Sequence, residues 1–144
     1  MLAERCSWAR VVLVESSERR AAFLSKAARL LQLEVEVRAE RAETTGRGPL
    51  REGADVVTAR SFGSPTVVAE CAAPLLLLGA SLVVSEPPTT SPSRWPAAGL
   101  AALGLGPARE VEVAGFHFAV LCKDDKCPAR YPRRPGVPAK RPLF

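Results

Sequence analysis

The chain of 144 residues is long enough for one domain with a hydrophobic core of its own. Its hydrophobic fraction of 47% is ordinary for a globular protein, and no apolar run reaches the roughly 18 residues that a membrane helix needs. The N-terminus is charged and lacks the long apolar region of a signal peptide, so we expect a cytoplasmic protein that does not span a membrane.

The first predicted elements are a strand and a helix. Val11–Val14 is a short, continuous apolar run, which is typical of a strand buried on both faces of a parallel sheet. Ser16 and Ser17 can cap the helix that follows, and Glu18 lies in its first turn, where the helix dipole favours a negative charge. Helical spacing predicts one apolar face on this helix, made of Phe23, Leu24, Ala27, Ala28, Leu30 and Leu31.

Glu15 lies between this strand and this helix. In open α/β sheets, ligands bind outside the carboxyl ends of the strands. A carboxylate at that position can accept hydrogen bonds from both hydroxyls of a ribose. The alternative is that Glu15 is a solvated residue between a strand and a helix, and this segment alone leaves both possibilities open.

The rest of the chain predicts strands alternating with helices, followed by a pair of strands. The predicted strands are Leu33–Arg38, Asp55–Arg60, Ser81–Ser85, Glu110–Val113 and Phe116–Leu121. The predicted helices are Pro65–Leu77 and Trp95–Leu103. Because strands that alternate with helices form parallel pairs, we expect a mostly parallel sheet covered on both faces. The last two strands are joined by a short turn and must therefore be antiparallel to each other.

The net charge of +5 is concentrated at the C-terminus. The rest of the chain, before position 128, has equal numbers of basic and acidic residues. From position 128 onward there is no acidic residue, and the five basic ones are Arg130, Arg133, Arg134, Lys140 and Arg141. A localised basic segment suits phosphate backbones or another acidic surface. The alternative is a tail that only keeps the protein soluble.

The four cysteines predict neither a metal site nor a disulfide framework. Cys122 and Cys127 have four residues between them, and no second pair or nearby histidine completes a zinc site. Cys71 lies in an apolar segment and is predicted to be a small buried residue, whereas Cys6 belongs to the charged N-terminus. We therefore expect no bound metal.

Three motifs resemble those of the RsmG/GidB family. They are VES at 14–16, TARSF at 58–62 within VTARSFGSPTVVAECAAPLL, and RYPRRPGVPAKRPL at 130–143. Members of this family are bacterial methyltransferases that use S-adenosylmethionine to methylate N7 of a guanine in 16S ribosomal RNA. The resemblance implies an α/β fold, the Rossmann-like sheet of class I S-adenosylmethionine-dependent methyltransferases, with the small ribosomal subunit or its RNA as the partner.

The resemblance also implies roles for particular residues. Glu15 matches an acid near the ribose of the cofactor, Ala42 and Glu43 match a pair beside the adenine, and Arg60 matches an arginine of the cofactor site. The residues expected to face RNA are Arg130, Tyr131, Arg133, Arg134, Lys140 and Arg141. No catalytic side chain is expected, because guanine N7 is already nucleophilic and the enzyme mainly has to align it with the methyl group.

The front of the chain departs from the family's pattern. Family members have a first strand and a loop resembling D-x-G-S-G-x-G-x-P-G before the strand that opens this chain, whereas the first glycine here is Gly46. The resemblance places that strand between Val11–Val14 and Asp55–Arg60. We therefore expect an N-terminally truncated member, with a partial methyltransferase domain over 1–127 and a basic tail over 128–144 that packs on it or extends from it.

This departure leaves two functions open. One is the family's methyl transfer, and the alternative is a non-catalytic remnant that binds RNA through its tail without methylating it. In either case, an exposed strand edge favours self-association of the chain.

Overall fold

A computed structural model describes residues 8–88 and 94–144, so Cys6 and the predicted character of the first seven residues lie outside the described part. The strands are β1 (Val11–Val14), β2 (Val35–Arg38), β3 (Ala54–Ala59), β4 (Leu76–Glu86), β5 (Arg109–Val113) and β6 (Phe116–Cys122). The helices are α1 (Glu18–Leu30), α2 (Ala42–Thr45), α3 (Pro65–Ala72), α4 (Ala97–Ala101) and α5 (Val137–Lys140). Within residues 8–88 and 94–144, no helix has the length and apolar character needed to cross a membrane.

The strands form two sheets. β1 and β2 pair in parallel, and a second sheet has the order β3–β4–β6–β5. In this larger sheet β3 and β4 are parallel, while β6 is antiparallel to both β4 and β5. β3, β4 and β5 therefore share one direction and β6 alone runs against them. The predicted α/β class, with parallel strands and an antiparallel C-terminal pair, is confirmed.

The hydrophobic core lies on the larger sheet. Its fully buried members include Ala69 on α3, Leu82 on the central strand β4 and Leu121 on β6. Every buried member of this cluster falls between positions 68 and 131. On the other sheet, α1 contributes only Ala21 and Ala28 as buried hydrophobic residues in the described part of the chain. The C-terminal two thirds of the chain therefore contain most of the packing that holds the fold together.

A groove of about 430 Å³ separates β1 from β3. We call it the inter-sheet groove; its lining includes all of β1, the β3 residues 56–58, and Leu24, Ala27 and Leu31 of the first helical region. In the described residues, β1 pairs only with β2 and β3 pairs only with β4. The groove thus lies between β1 and β3, the two strands that the family resemblance predicts to flank a further strand.

Some sequence predictions differ from the structure. Val11–Val14 was predicted to be buried on both faces, but all four residues are only half-buried. The apolar face predicted on α1 is present, but Phe23 on it is 69% and Leu30 is 74% exposed. The helix predicted to continue to Leu77 ends at Ala72, because Pro74 cannot continue the hydrogen bonding of a helix. The chain then enters β4 five residues earlier than predicted, with a register shift around Gly79, whose φ is +78°.

The C-terminal segment packs against the α/β body through hydrogen bonds. Arg51 donates to the carbonyl oxygens of Tyr131 (2.7 Å) and Cys127 (3.0 Å), and Arg47 donates to that of Pro132 (2.7 Å). Near the chain end, the Phe144 ring lies against Gly99, where a Cβ atom would clash with it. These contacts tie the segment to the loop before β3 and to α4.

The most buried of these anchors is the ion pair between Glu70 and Arg133. Glu70 is on α3 and has no exposed surface. Its Oε1 accepts from the Arg133 backbone N–H and from Nε, both at 2.8 Å, and its Oε2 accepts from Nη2 at 2.6 Å. The guanidinium thus contacts both carboxylate oxygens, and the buried Glu70 carboxylate is both paired and hydrogen-bonded.

Replacing Arg133 tests this anchor. R133M leaves the Glu70 carboxylate buried without its cation, so we expect a loss of about 3 kcal/mol in the free energy of unfolding. The neighbouring exposed Arg134 provides the control, and R134M should change the free energy by no more than about 0.5 kcal/mol. Urea unfolding measures both, and equal effects of the two substitutions would contradict a structural role for Arg133.

Candidate functional site

Glu15 follows the last residue of β1 and precedes α1. Its Oε1 accepts two hydrogen bonds, from the Ser17 backbone N–H and from Nη2 of Arg20, each at 2.8 Å. The side chain keeps 21% of its surface exposed, so the carboxylate borders solvent at the end of β1.

The surroundings of Glu15 keep it ionised. The Arg20 side chain, followed by the Ser17 backbone N–H, lowers the pKa of Glu15 from 4.5 to about 2. A carboxylate accepts hydrogen bonds and does not donate them. Such an acceptor suits a ligand with hydroxyl or N–H donors.

Ala42 and Glu43 follow β2 and open the short helix α2. Glu43 is buried, and its Oε1 accepts from the backbone N–H of Gly136 at 2.8 Å. Its Oε2 lies 3.5 Å from Nε of Arg41. Glu43 thus contacts the C-terminal segment, while the half-buried Ala42 precedes it at the start of α2.

Arg60 follows β3 and lines a second cavity, of about 360 Å³, at the carboxyl ends of β3 and β4. We call it the strand-end cavity. Its lining includes Val68 and Val84 from the core, and at the strand ends it includes Arg60, Ser61, Phe62, Glu86, Arg94 and Trp95. It combines two core valines with charged and aromatic groups, and its surface is more polar than apolar.

The sequence predicts that the Glu86-Pro87-Pro88 segment is mainly a rigid exit from β4, with a substrate contact at the cleft edge as the alternative. Glu86 ends β4 with its side chain only 5% exposed. Its Oε1 accepts from the indole N–H of Trp95 at 3.1 Å, and its Oε2 forms an ion pair with Nη1 of Arg94. The available signal was an acid directly after a buried strand, which is the same signal that singled out Glu15.

The four predicted cofactor residues all follow the carboxyl ends of parallel strands: Glu15 follows β1, Ala42 and Glu43 follow β2, and Arg60 follows β3. Arg60 lines the strand-end cavity, whose lining does not include the other three. Glu15 and Glu43 are also absent from the lining of the inter-sheet groove. A single cofactor hollow shared by these residues stays a prediction.

The residues predicted to face RNA divide into two groups. Tyr131 is buried and Arg133 is held by Glu70, so both act in packing. The guanidinium of Arg130 lies 5.0 Å from the centre of the Tyr131 ring. The cations exposed to solvent are Arg130, Arg134, Lys140 and Arg141.

The cysteines of the described part are reduced. Cys71 is buried, as predicted, and burial raises its pKa to about 12, so its thiol stays protonated. Across positions 8–88 and 94–144, no three side chains of the metal-ligating types come together.

Comparisons with known proteins place this fold in a family. The family model described as "GidB: rRNA small subunit methyltransferase G" matches residues 1–85. The chain belongs to the rRNA small subunit methyltransferase G family. It is similar to proteins named ribosomal RNA small subunit methyltransferase G from Dictyoglomus thermophilum (32% identity, 94% of this chain and 59% of the relative) and Roseiflexus castenholzii (36%, 93% and 61%). The chain thus spans about three fifths of the length of these relatives.

Solved structures show the same fold at lower sequence identity. A methyltransferase from Pyrococcus furiosus aligns with a TM-score of 0.57 at 15% identity, over 86% of this chain and 68% of that one. A 16S rRNA N2 methyltransferase (RsmC) from T. thermophilus, solved with AdoMet and guanosine, aligns with a TM-score of 0.52 at 20% identity, over 82% and 30%. Together with the family match, these confirm the predicted class of methyltransferase fold.

In this member of the rRNA small subunit methyltransferase G family, the ionised carboxylate of Glu15 is an acceptor suited to a ribose hydroxyl. Glu43, of the pair expected beside the adenine, is bonded to the C-terminal segment. The glycine-rich loop of the resemblance would let the backbone approach the methionine portion and the adenosine of the cofactor, and this sequence has no glycine before Gly46.

The ion pair of Glu15 predicts a pH dependence of stability. Because the pKa of Glu15 is lower in the folded chain than in the unfolded one, its contribution is complete above about pH 4.5 and is lost as the pH falls toward about 2. The difference in urea midpoint between the wild type and E15Q should therefore shrink over that interval. E110Q, on the exposed β5, is the control, and a difference that does not change with pH would contradict the prediction.

Proposed function

We propose that this chain is part of an S-adenosylmethionine-dependent methyltransferase whose complete form methylates N7 of a guanine in 16S ribosomal RNA. Membership of the rRNA small subunit methyltransferase G family supports this proposal. The observation that carries it is the ionised carboxylate of Glu15 at the carboxyl end of β1, where ligands of open α/β sheets bind. An enzyme with this substrate would work on the small ribosomal subunit and thus in the cytoplasm.

The role of the chain in this reaction is to bind and orient. When bound, S-adenosylmethionine supplies an electrophilic methyl group. Glu15 holds the ribose hydroxyls, and Arg60 at the end of β3 adds positive charge at the strand-end cavity. No side chain has to remove a proton, because N7 of guanine carries a free lone pair. Alignment of the two reactants is then the main source of rate enhancement.

The exposed cations of the C-terminal segment are proposed to bind RNA phosphates. Arg130, Arg134, Lys140 and Arg141 are exposed, and the segment that carries them is fixed to the body through Glu70 and Glu43. A fixed array of cations loses less conformational freedom on binding than a free tail does. This arrangement favours RNA binding over a role in solubility alone.

Calorimetric titration with S-adenosylmethionine tests the proposed function. We expect a dissociation constant in the low micromolar range for the wild type. E15Q should bind at least about tenfold more weakly, because it lacks the charged acceptor for two hydroxyls. E110Q on the exposed β5 should bind as the wild type does. An absence of binding would overturn the proposal for this chain and favour the non-catalytic remnant that binds RNA without methylating it.

The salt dependence of RNA binding tests the basic surface. Each phosphate contact that is removed lowers the slope of log Kobs against log[salt] by about 0.7 to 0.9. The double variant R134Q/K140Q should therefore flatten the slope by about 1.5, whereas R19Q/K26Q on the exposed side of α1 should leave it unchanged. Fluorescence anisotropy with a fragment of 16S RNA measures both, and equal slopes would refute phosphate contacts by the C-terminal segment.

We also propose that the unpaired strand edges favour association of one chain with a second copy. β1 and β3 border the inter-sheet groove, and Val56 on β3 is 54% exposed. Open strand edges with apolar side chains are sites of edge-to-edge pairing. Light scattering should therefore give a mass that rises with concentration, and V56K should reduce this rise. A constant monomer mass would contradict the proposal.

A further inference from the structure

We propose that the strand-end cavity binds the target guanine by its Watson–Crick edge, with Glu86 accepting hydrogen bonds from N1–H and from the exocyclic amino group. This inference rests on the proposed function, because it names the residue that would select the base. It assigns a specificity role to Glu86, which neither the sequence motifs nor the proposed cofactor contacts use.

Glu86 is held in a fixed position. It ends the central strand β4, where its backbone is in register with His117 on β6. The Trp95 indole N–H donates to Oε1 and the Arg94 guanidinium binds Oε2, so each carboxylate oxygen has a partner that orients it. The side chain is 5% exposed, and because a carboxylate has about four acceptor positions, its two present bonds leave acceptor capacity on the carboxylate. Preorganised acceptors of this kind discriminate well between ligands, since no rearrangement is needed.

The chemistry of Glu86 favours guanine over the other bases. Guanine has two neighbouring N–H donors on its Watson–Crick edge, and these match the two oxygens of one carboxylate. Adenine and cytosine each have a single exocyclic amino donor there, next to a ring nitrogen that repels a carboxylate. Sequence-specific RNA recognition commonly reads unstacked bases on this edge.

Phe62 supplies a stacking surface for such a base. It lines both the strand-end cavity and the inter-sheet groove and is 49% exposed, so its ring is accessible to a base. Ser61 before it has a φ of +51°, in the left-handed region that a non-glycine residue rarely adopts. Strained backbone of this kind concentrates at functional sites, and here it fixes how the chain turns from Arg60 to Phe62. Bases stack favourably on aromatic rings of this kind.

The proposed orientation agrees with methylation at N7. N7 lies on the Hoogsteen edge of guanine, on the opposite side of the ring system from N1 and the exocyclic amino group. A base held by Glu86 therefore presents N7 away from the carboxylate and leaves it free to react. The volume of about 360 Å³ is within the range of small-molecule sites.

The fluorescence of Trp95 can report on this binding, because its indole is bonded to Glu86. In a W8F background, in which the exposed Trp8 no longer contributes, the chain is titrated with short single-stranded oligoribonucleotides. The oligonucleotides differ only at one central position, which is guanine, inosine, adenine, 1-methylguanine, 7-methylguanine or an abasic site. We expect 7-methylguanine, which keeps both N–H donors and adds a positive charge, to bind at least as tightly as guanine, and the other four to bind about tenfold more weakly than guanine.

Every other pattern overturns the inference. Loss of binding with 7-methylguanine but not with 1-methylguanine would mean that the Hoogsteen edge is read, which Arg94 could do. Equal binding of the abasic oligonucleotide would mean a phosphate site, and an absence of any fluorescence change would mean that no base enters the cavity.

Substitution of Glu86 adds a second measure. E86Q should remove the preference for guanine over inosine, whereas E110Q on β5 should keep it. Because the base comparisons use one and the same chain, they decide the question even if E86Q does not fold. A chain that binds S-adenosylmethionine but shows no preference for guanine refutes only this inference. A chain with that preference that fails to bind S-adenosylmethionine refutes only the proposed function.

Discussion

The pairing of backbone groups along β1 and β3 constrains the rest of the structure. In the described residues each strand pairs on one edge, and its other edge borders the inter-sheet groove. Buried backbone N–H and C=O groups without partners are costly, so the groove cannot simply close by packing side chains across it. The molecule therefore consists of a four-stranded sheet with a substantial core and a smaller β1–α1–β2 unit that contributes few buried residues.

This division also separates the chemical groups of the proposed site. Glu15, the proposed ribose acceptor, belongs to the smaller unit, whereas Arg60 and Glu86 follow strands of the larger sheet. The strand-end cavity is thus built on the better-packed sheet, where Trp95 belongs to the hydrophobic core. The distance between a bound cofactor and a bound base therefore depends on how far apart β1 and β3 lie across the inter-sheet groove.

The positions of strands, which depend on local patterns, could be predicted from the sequence. The burial and pairing of side chains, which depend on long-range packing, could be predicted less well. Apolar runs and turn residues placed β1, β3 and the final strand pair within a few residues. The exposure of Phe23 and Leu30 could not be predicted, because periodicity shows which side chains share a face but not what covers that face. Likewise, Arg133 was predicted to face RNA, and only the fold shows that its guanidinium is paired with the buried Glu70.

The anchors of the C-terminal segment have a consequence for the order in which the chain assembles. Arg47, Arg51 and Glu43 each bond to groups that follow them by 76 to 93 positions in the sequence. Closing loops of that size costs chain entropy, which is recovered only when the surface that receives the segment already exists. The segment should therefore dock late in folding, after α3 and β4 have formed, and until then Glu70 remains hydrated rather than enclosed.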